Sequence, residues 1–410
     1  MVDHSVRAAA TDAGRPLRIG IVTDGLEERC ADGQVNVANG GVGVYIYNLV
    51  KHLRLVDARN EYVLIRYGEG RLDIYLDGNS RSVILPRSVV ARCARAFDVP
   101  HLRIATDMRL DVLHYPNQFG GAFLPRRVRR VVTVHDITPL LFPRHHPVTR
   151  VLGYRLLLRR SLRAADHVIV DSAHTAVDLV DRRLLPADKV TVIPLAAASM
   201  FTPTARTFDF RERYAVPERF ILNVGVLEPR KNHALLVDAL RRLHEAGEHI
   251  DLVIVGREGW RWRDPLAAHA VAHLRPRVHI YRNVPDADLV EFYNRAAVVA
   301  YPSLYEGFGL PVIEAMACGT PVVASSASCL PAVAGQAALL ADPVDPADFA
   351  DKLLAVLRDP SLRDRLVALG RRHAQEFSWR RTAAQTLAVY ERVCGRVANG
   401  TGWRPPAAPG

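Results

Sequence analysis

Residues 301–325 read YPSLYEGFGLPVIEAMACGTPVVAS, and the order of residue types in that stretch decides the fold. The apolar run 298–301 has the length and composition of a buried strand. Glu306, Gly307 and Gly309 then make a loop. Pro311 stands where a first helical residue belongs, since its φ is already helical and its missing N–H is no loss there, and Gly319 stands just past the helix end. A second buried strand, 321–324, follows. Strand, glycine loop and helix N-terminus is the layout by which an open α/β sheet makes an anion pocket. The free N–H groups of the first helical turn, together with the helix dipole, favour a phosphate at that point. Two carboxylates flank the same place, Glu306 in the loop and Glu314 in the helix. A phosphate repels both, whereas hydroxyl groups are drawn to them, because an ionised carboxylate accepts two O–H donors. Donors for phosphate beside acceptors for hydroxyls fit a sugar nucleotide.

The same residues carry a family resemblance. EGFGLPVIEA, with seven residues between Glu306 and Glu314, followed by GTPVVAS, resembles the signature of the retaining family 4 glycosyltransferases of GT-B fold. The resemblance implies an α/β protein of two Rossmann-like doubly wound domains facing across a cleft, with a C-terminal helix crossing back to the first domain. It implies a donor held mainly by the second domain, with Gly307, Phe308, Gly309, Leu310 and Glu314 among its contacts, and an acceptor held mainly by the first.

Length and composition agree with two domains. The chain has 410 residues, 49% of them hydrophobic, which is too long for one comfortable core and ample for two. No apolar run approaches the roughly eighteen residues that cross a bilayer, and the N-terminus lacks a signal-peptide apolar region. The expectation is a cytoplasmic protein. Five scattered cysteines (Cys30, Cys93, Cys318, Cys329, Cys394) form no CxxC pair and read as reduced core residues. The net charge of +11 is concentrated: residues 121–163 hold ten arginines and one acid, Asp136. Two readings of that stretch stay open. One is a solvated basic face; the other is a surface, Arg126 to Arg163, that meets an anionic membrane at the inner face of the plasma membrane. Within it, RVLGYRLLLRRSLR (150–163) sets a leucine stripe among arginines, and the leucines read as core with the arginines outside. Nucleic acid is not expected as a partner, since no aromatic residues interleave the basic ones and no binding module is recognisable.

Continuous Val/Ile/Leu runs without polar alternation mark strands covered on both faces. They fall at 17–23, 62–67, 111–115, 131–135, 167–171 and 190–194, and again at 220–226, 251–255, 278–281, 298–301 and 321–324. The expected organisation is a disordered tail over 1–16, an acceptor-side domain over 17–198, a nucleotide-sugar domain over 199–375, a crossover helix over 376–397 and a second tail over 398–410.

Placed on these strands, the polar residues acquire roles. GGVGVYIYNLVKHL begins a helix, so Gly41 and Gly43 lie at its N-terminus after the first strand, where a diphosphate approaches. TVHD ends a strand with His135, to which the resemblance gives a hydrogen bond to a donor-sugar hydroxyl. GVLEPRKN places Arg230 and Lys231, with Gly225, at the carboxyl end of another strand. A forked guanidinium beside an ammonium suits a diphosphate, and the EPRKN string resembles the members rich in mannosyltransferases. Gly256 ends the next strand and borders the nucleotide. Asp286 and Asp288 form a literal D-x-D, which elsewhere holds a divalent metal, but the following helical pattern assigns them to N-capping. No metal or other cofactor is expected.

The expected reaction is transfer of a hexose, mannose favoured, from GDP-mannose or a UDP-sugar to a glycan or a polyprenyl- or other lipid-linked acceptor. Arg230, Lys231 and the helix N-terminus near Leu310 would stabilise the departing phosphate, and Glu306 the cationic sugar ring. Two rivals remain: an epimerase or hydrolase of the same fold, and a catalytically silent scaffold.

Overall fold

The computed structural model describes residues 15–23, 40–67, 79–85, 99–120, 124–125, 127–204, 208–267, 269–397 and 403. The expected tails, apart from residues 15, 16 and 403, together with Arg126, Cys30 and Cys93, lie outside the described residues.

Two all-parallel sheets carry the chain. The first has seven strands in the order β3-β2-β1-β4-β5-β6-β7: β1 Arg18–Val22, β2 Glu61–Tyr67, β3 Ser80–Leu85, β4 Val112–Tyr115, β5 Arg129–Val134, β6 His167–Val170 and β7 Val190–Val192. The second has six, in the order β10-β9-β8-β11-β12-β13: β8 Phe220–Val224, β9 Asp251–Val255, β10 Val278–Tyr281, β11 Val298–Tyr301, β12 Val322–Ser325 and β13 Ala338–Ala341. Both sheets run out from their first strand, reverse and continue on its other side. That doubly wound order opens a crevice where the direction changes, between β1 and β4 and between β8 and β11.

The strands are where the apolar runs placed them, because fully covered strands exclude polar residues. Ile19 and Ile21 are fully buried, each contributing about 1.5–3 kcal/mol of burial. Two edge strands escape the sequence reading. β3 is SRSVIL with partly exposed positions, and β13 is ALLA, which has helix-forming composition. Both take their conformation from the ladder beside them, β3 on β2 and β13 on β12.

The C-terminal helix, Trp379–Val393, returns to the first sheet. Its Tyr390 hydroxyl lies 2.7 Å from His114 Nδ1 on β4, and Thr382 donates to the Pro194 carbonyl at 2.7 Å. Trp379 and Tyr390 join one buried cluster with residues of both domains, among them Ile19, Tyr45, Phe308 and Leu310. Among the described residues, no helix is long and apolar enough to cross a membrane.

The leucine stripe at 150–163 is not all core. Leu158 and Leu162 are buried, but Leu152, Leu156 and Leu157 are exposed by 54%, 64% and 46%. A π-helical turn over Tyr154–Leu158 takes more residues per turn than an α-helix, and so turns Leu156 and Leu157 outward together. The D-x-D reading also changes. The helix Asp286–Arg295 is capped at Pro285 without a side-chain bond. Asp288 instead accepts from Arg213 at 2.8 Å and from the Tyr214 hydroxyl at 2.7 Å, so it ties the helix to a neighbour rather than capping it.

Candidate active site

A cavity of about 380 Å³ lies between the two sheets at the carboxyl ends of their strands, within the size range of small-ligand sites. Of the residues singled out in the sequence, His135, Gly41, Gly225, Arg230, Lys231, Gly256, Glu306, Gly307, Phe308, Gly309, Leu310 and Glu314 line it. Gly43 does not. It sits within the first turn of the Gly41–Val56 helix, and its neighbours Gly40, Gly41 and Val42 form the wall instead.

Two helices point their N-termini at this cavity. One begins at Gly41, the other is Leu310–Cys318 with Pro311 in its first turn and left-handed Gly309 and Gly319 at its ends. They are close: a Cβ on Gly41 would meet Leu310 Cδ1 at 3.7 Å. Free N–H groups and the positive ends of both dipoles therefore converge on the same space.

The cations and anions also converge. After β8 the chain makes a single 3₁₀ turn, Pro229–Lys231, ended by Asn232 in the left-handed conformation, and the Asn232 side chain donates to the Pro343 carbonyl at 2.7 Å. The loop after β11 is tied to that turn by Leu304 N–H donating to the Arg230 carbonyl at 2.9 Å. Glu306, in this second loop, is thereby set between Arg230 Nη1 at 2.8 Å and Lys231 Nζ at 2.7 Å. Lys231 also donates to the Tyr301 hydroxyl at 2.7 Å, and Arg230 pairs with Glu228. Burial would raise the Glu306 carboxyl, but Arg230 and Lys231 overcome it and hold it down at about 2. Glu314 goes the other way. It is buried, accepts from the Tyr293 hydroxyl at 2.8 Å, and is pushed up to about 7 by burial, against the pull of Tyr293 and Lys231. Two carboxylates in one cavity thus hold opposite protonation preferences.

His135 faces this cluster from the first domain. Its Nδ1 is 2.6 Å from Asp171 Oδ2 and its Nε2 is 3.2 Å from the Pro116 carbonyl. Burial disfavours its charge, but Asp171 outweighs that and raises its affinity for a proton. Both ring nitrogens are therefore engaged by protein, and the ring stands beside the cavity. Asp136 accepts from Thr138 N–H at 3.0 Å and steadies the turn that follows.

Close approach explains the glycines. A Cβ on Gly256 would fall 1.8 Å from the Gly225 carbonyl oxygen, and one on Gly307 would fall 1.9 Å from the His135 carbonyl oxygen. The first contact stacks the loops after β8 and β9; the second brings the two domains together.

Several lining residues were missed in the sequence: Asp171, Glu228, Arg150, Trp260 and Tyr301. Glu228 was present in the EPRKN string, and Asp171 follows β6 as His135 follows β5, so the strand-end rule could have found both. Arg150 and Trp260, which meet at 4.4 Å, gave no local signal. Asn283, after β10, takes a φ of 55°, the conformation for which glycine is favoured.

Comparison with known proteins identifies the family. Residues 206–373 match the model described as "Glycosyl transferases group 1", and residues 39–197 match "Glycosyltransferase Family 4". The chain is 35% identical over 286 residues to O-antigen chain mannosyltransferase B of Escherichia coli, covering 68% of this chain and 74% of that one. It is 33% identical over 285 residues to the MMP alpha-(1->4)-mannosyltransferase of Mycolicibacterium hassiacum, covering 63% and 67%. Among solved structures, sucrose-phosphate synthase from Thermosynechococcus elongatus superposes with a TM-score of 0.73 at 22% identity over 93% of this chain and 100% of that chain. Anabaena Alr3699/HepE in complex with UDP-glucose does so with 0.67 at 18%, over 92% and 100%. At those identities the structural likeness concerns the fold.

Proposed function

This chain belongs to the family 4 glycosyltransferases, and from that premise we propose that it moves a hexose, mannose favoured, from GDP-mannose or a UDP-sugar to a glycan or lipid-linked acceptor. The observation that carries the reading is the placement of Arg230, Lys231 and two helix N-termini around one cavity with Glu306 and Glu314. Cleaving the anomeric C–O bond puts negative charge on the leaving diphosphate and positive charge on the sugar ring. Fixed N–H groups, a guanidinium and an ammonium oppose the first without reorganising, which is commonly the largest catalytic contribution. Glu314 receives the ribose hydroxyls.

Glu306 acts on the ring electrostatically rather than as a nucleophile. A carboxylate held at about 2 between two cations is a weak electron-pair donor. That supports retention through attack from the leaving-group face, with the acceptor oxygen arriving from the first domain and passing its proton to the departing phosphate. The His135 ring, held by Asp171, orients the sugar by its position in the wall. Charge neutralisation by these groups supports a reaction without a metal. The enzyme would act in the cytoplasm, at the inner face of a membrane when its acceptor is lipid-linked.

The test is a panel of nucleotide sugars scored for thermal stabilisation, followed by turnover with and without acceptors in the presence of EDTA. The stabilising donor should be consumed only when an acceptor is present, and NMR should show the anomeric configuration kept. Consumption at the same rate without acceptor would make the protein a hydrolase or epimerase, and stabilisation by no donor would remove the site assignment.

A further inference from the structure

We propose that the arginine-rich helix of the first domain is a docking surface for an anionic lipid bilayer, a partner that deepens the transferase reading. The helical pieces Val148–Gly153, Tyr154–Leu158 and Arg159–Ala164 follow one another without a break. One face is core: Val151, Tyr154, Leu158 and Leu162 are buried. The opposite face exposes Val148 by 72%, Leu152 by 54%, Leu156 by 64% and Leu157 by 46%. Ten large hydrophobic residues are exposed among the described residues, and four of them stand here, so the patch is a concentration rather than scatter. Val148, Leu152 and Leu156 repeat every four residues and make a single ridge.

Charge identifies the occupant. Arg155, Arg159 and Arg163 repeat with the same period, one residue out of phase with the ridge, and are exposed. No aspartate or glutamate occurs between Asp136 and Asp166. An apolar ridge flanked by exposed guanidinium groups is how a helix lies in the plane of a negatively charged membrane, with side-chain stems in the acyl boundary and head groups at the phosphates. A protein partner would bring acidic side chains to the arginines, but it would not require the long unbroken basic flank. The helix also begins at the cleft: Arg150 stacks 4.4 Å from the Trp260 ring and lines the donor cavity. A bilayer on this face would present lipid-linked acceptors beside the sugar donor.

The experiment is co-sedimentation of the full chain with vesicles of phosphatidylglycerol and phosphatidylcholine, against pure phosphatidylcholine, without any donor. Binding should require phosphatidylglycerol and weaken with salt. It should fall about tenfold or more in the double variant Leu152→Glu/Leu156→Glu and by roughly a hundredfold in Arg155→Glu/Arg159→Glu/Arg163→Glu. All five side chains are exposed, so circular dichroism and melting temperature should stay at wild-type values in both. At matched ionic strength, free inorganic phosphate or glycerol phosphate should not compete; competition there would mean a local anion site and overturn the proposal. Equal binding to both vesicle types, no binding, or indifference to the leucine changes would overturn it too. So would a concentration-dependent dimer in sedimentation velocity that Leu156→Glu abolishes, since the patch would then belong to a second copy. Vesicle binding is read without turnover, so its failure leaves the transferase reading to be judged by the donor panel.

Discussion

The carbonyl oxygen of His135 lies 1.9 Å from the point where a Cβ on Gly307 would be. The two residues come from different domains, one from the end of β5 and the other from the loop after β11, so a missing methyl group is what lets the cleft close to this width. Gly307→Ala should hold the domains apart without disturbing either core. We expect turnover to fall about a hundredfold, the order associated with a displacement of ~1 Å at a reacting centre. The radius of gyration in solution should rise while the melting temperature stays near wild type. Gly309→Ala is the contrast. Gly309 has a φ of +94° and its Cβ would meet Leu330 at 2.6 Å inside the second domain, so that variant should lose melting temperature as well. Identical behaviour of the two variants would refute the domain-contact role of Gly307.

Arg230 and Lys231 are part of the packing as well as the chemistry. Side-chain exposures of 12% and 9%, with Glu306 at 9%, put the cluster out of water. Removing one cation leaves the buried carboxylates one counter-charge short, and breaking a buried pair in this way costs about 3–5 kcal/mol. Arg230→Ala takes a partner from two such groups, leaving Glu228 without its ion pair and Glu306 with Lys231 alone. Urea unfolding should show Arg230→Ala and Lys231→Ala destabilised on that order. Loss of activity in these variants must therefore be read at a temperature where each is folded. Lys231→Arg should not restore turnover, because a planar fork cannot reach Tyr301 and Glu306 as the point ammonium does.

Much of this arrangement was legible in the sequence, and the exceptions have physical causes. The buried strands announced themselves because parallel strands covered on both faces admit only apolar residues. Gly309, Pro311 and Gly319 announced the central helix because its two ends require those conformations. What failed was long-range. Nothing near β3 or β13 marks them as strands, since the neighbouring ladder imposes the conformation. Asp288 finds Arg213 seventy-five residues away, and no local pattern foretells that. The arginine-rich segment has a helical period, but the π-turn at Tyr154–Leu158 shifts its phase, and leucines assigned to the core emerge on the surface.

Acid stability should report on Glu306. Its carboxyl is held at about 2, below the ordinary 4.5, so the folded state binds that proton less readily than the unfolded chain. The stabilisation is complete above the ordinary value and is lost as pH falls from about 4.5 toward about 2. Denaturant unfolding across that window should give a steeper loss for wild type than for Glu306→Gln, which has no proton to bind. Parallel curves would mean that Arg230 and Lys231 do not govern this group.

Glu314 should couple donor binding to proton release. Burial raises it to about 7, so near neutral pH it is partly protonated, and ionising it as pH rises from about 4.5 through about 7 lowers the stability of the unliganded protein. A ribose hydroxyl pair donates to a carboxylate and cannot donate in the same way to a carboxylic acid. Binding of a nucleotide sugar should therefore favour the ionised form, release a fraction of a proton and tighten as pH rises through about 7. The diphosphate of an intact nucleotide sugar is a diester and does not titrate there, which leaves the signal to the protein. Calorimetry in buffers of different ionisation enthalpy measures the release directly. Glu314→Gln should abolish the release, flatten the pH dependence and weaken binding. Proton release that persists in Glu314→Gln would assign the titration to another group, His135 first, and detach Glu314 from the ribose.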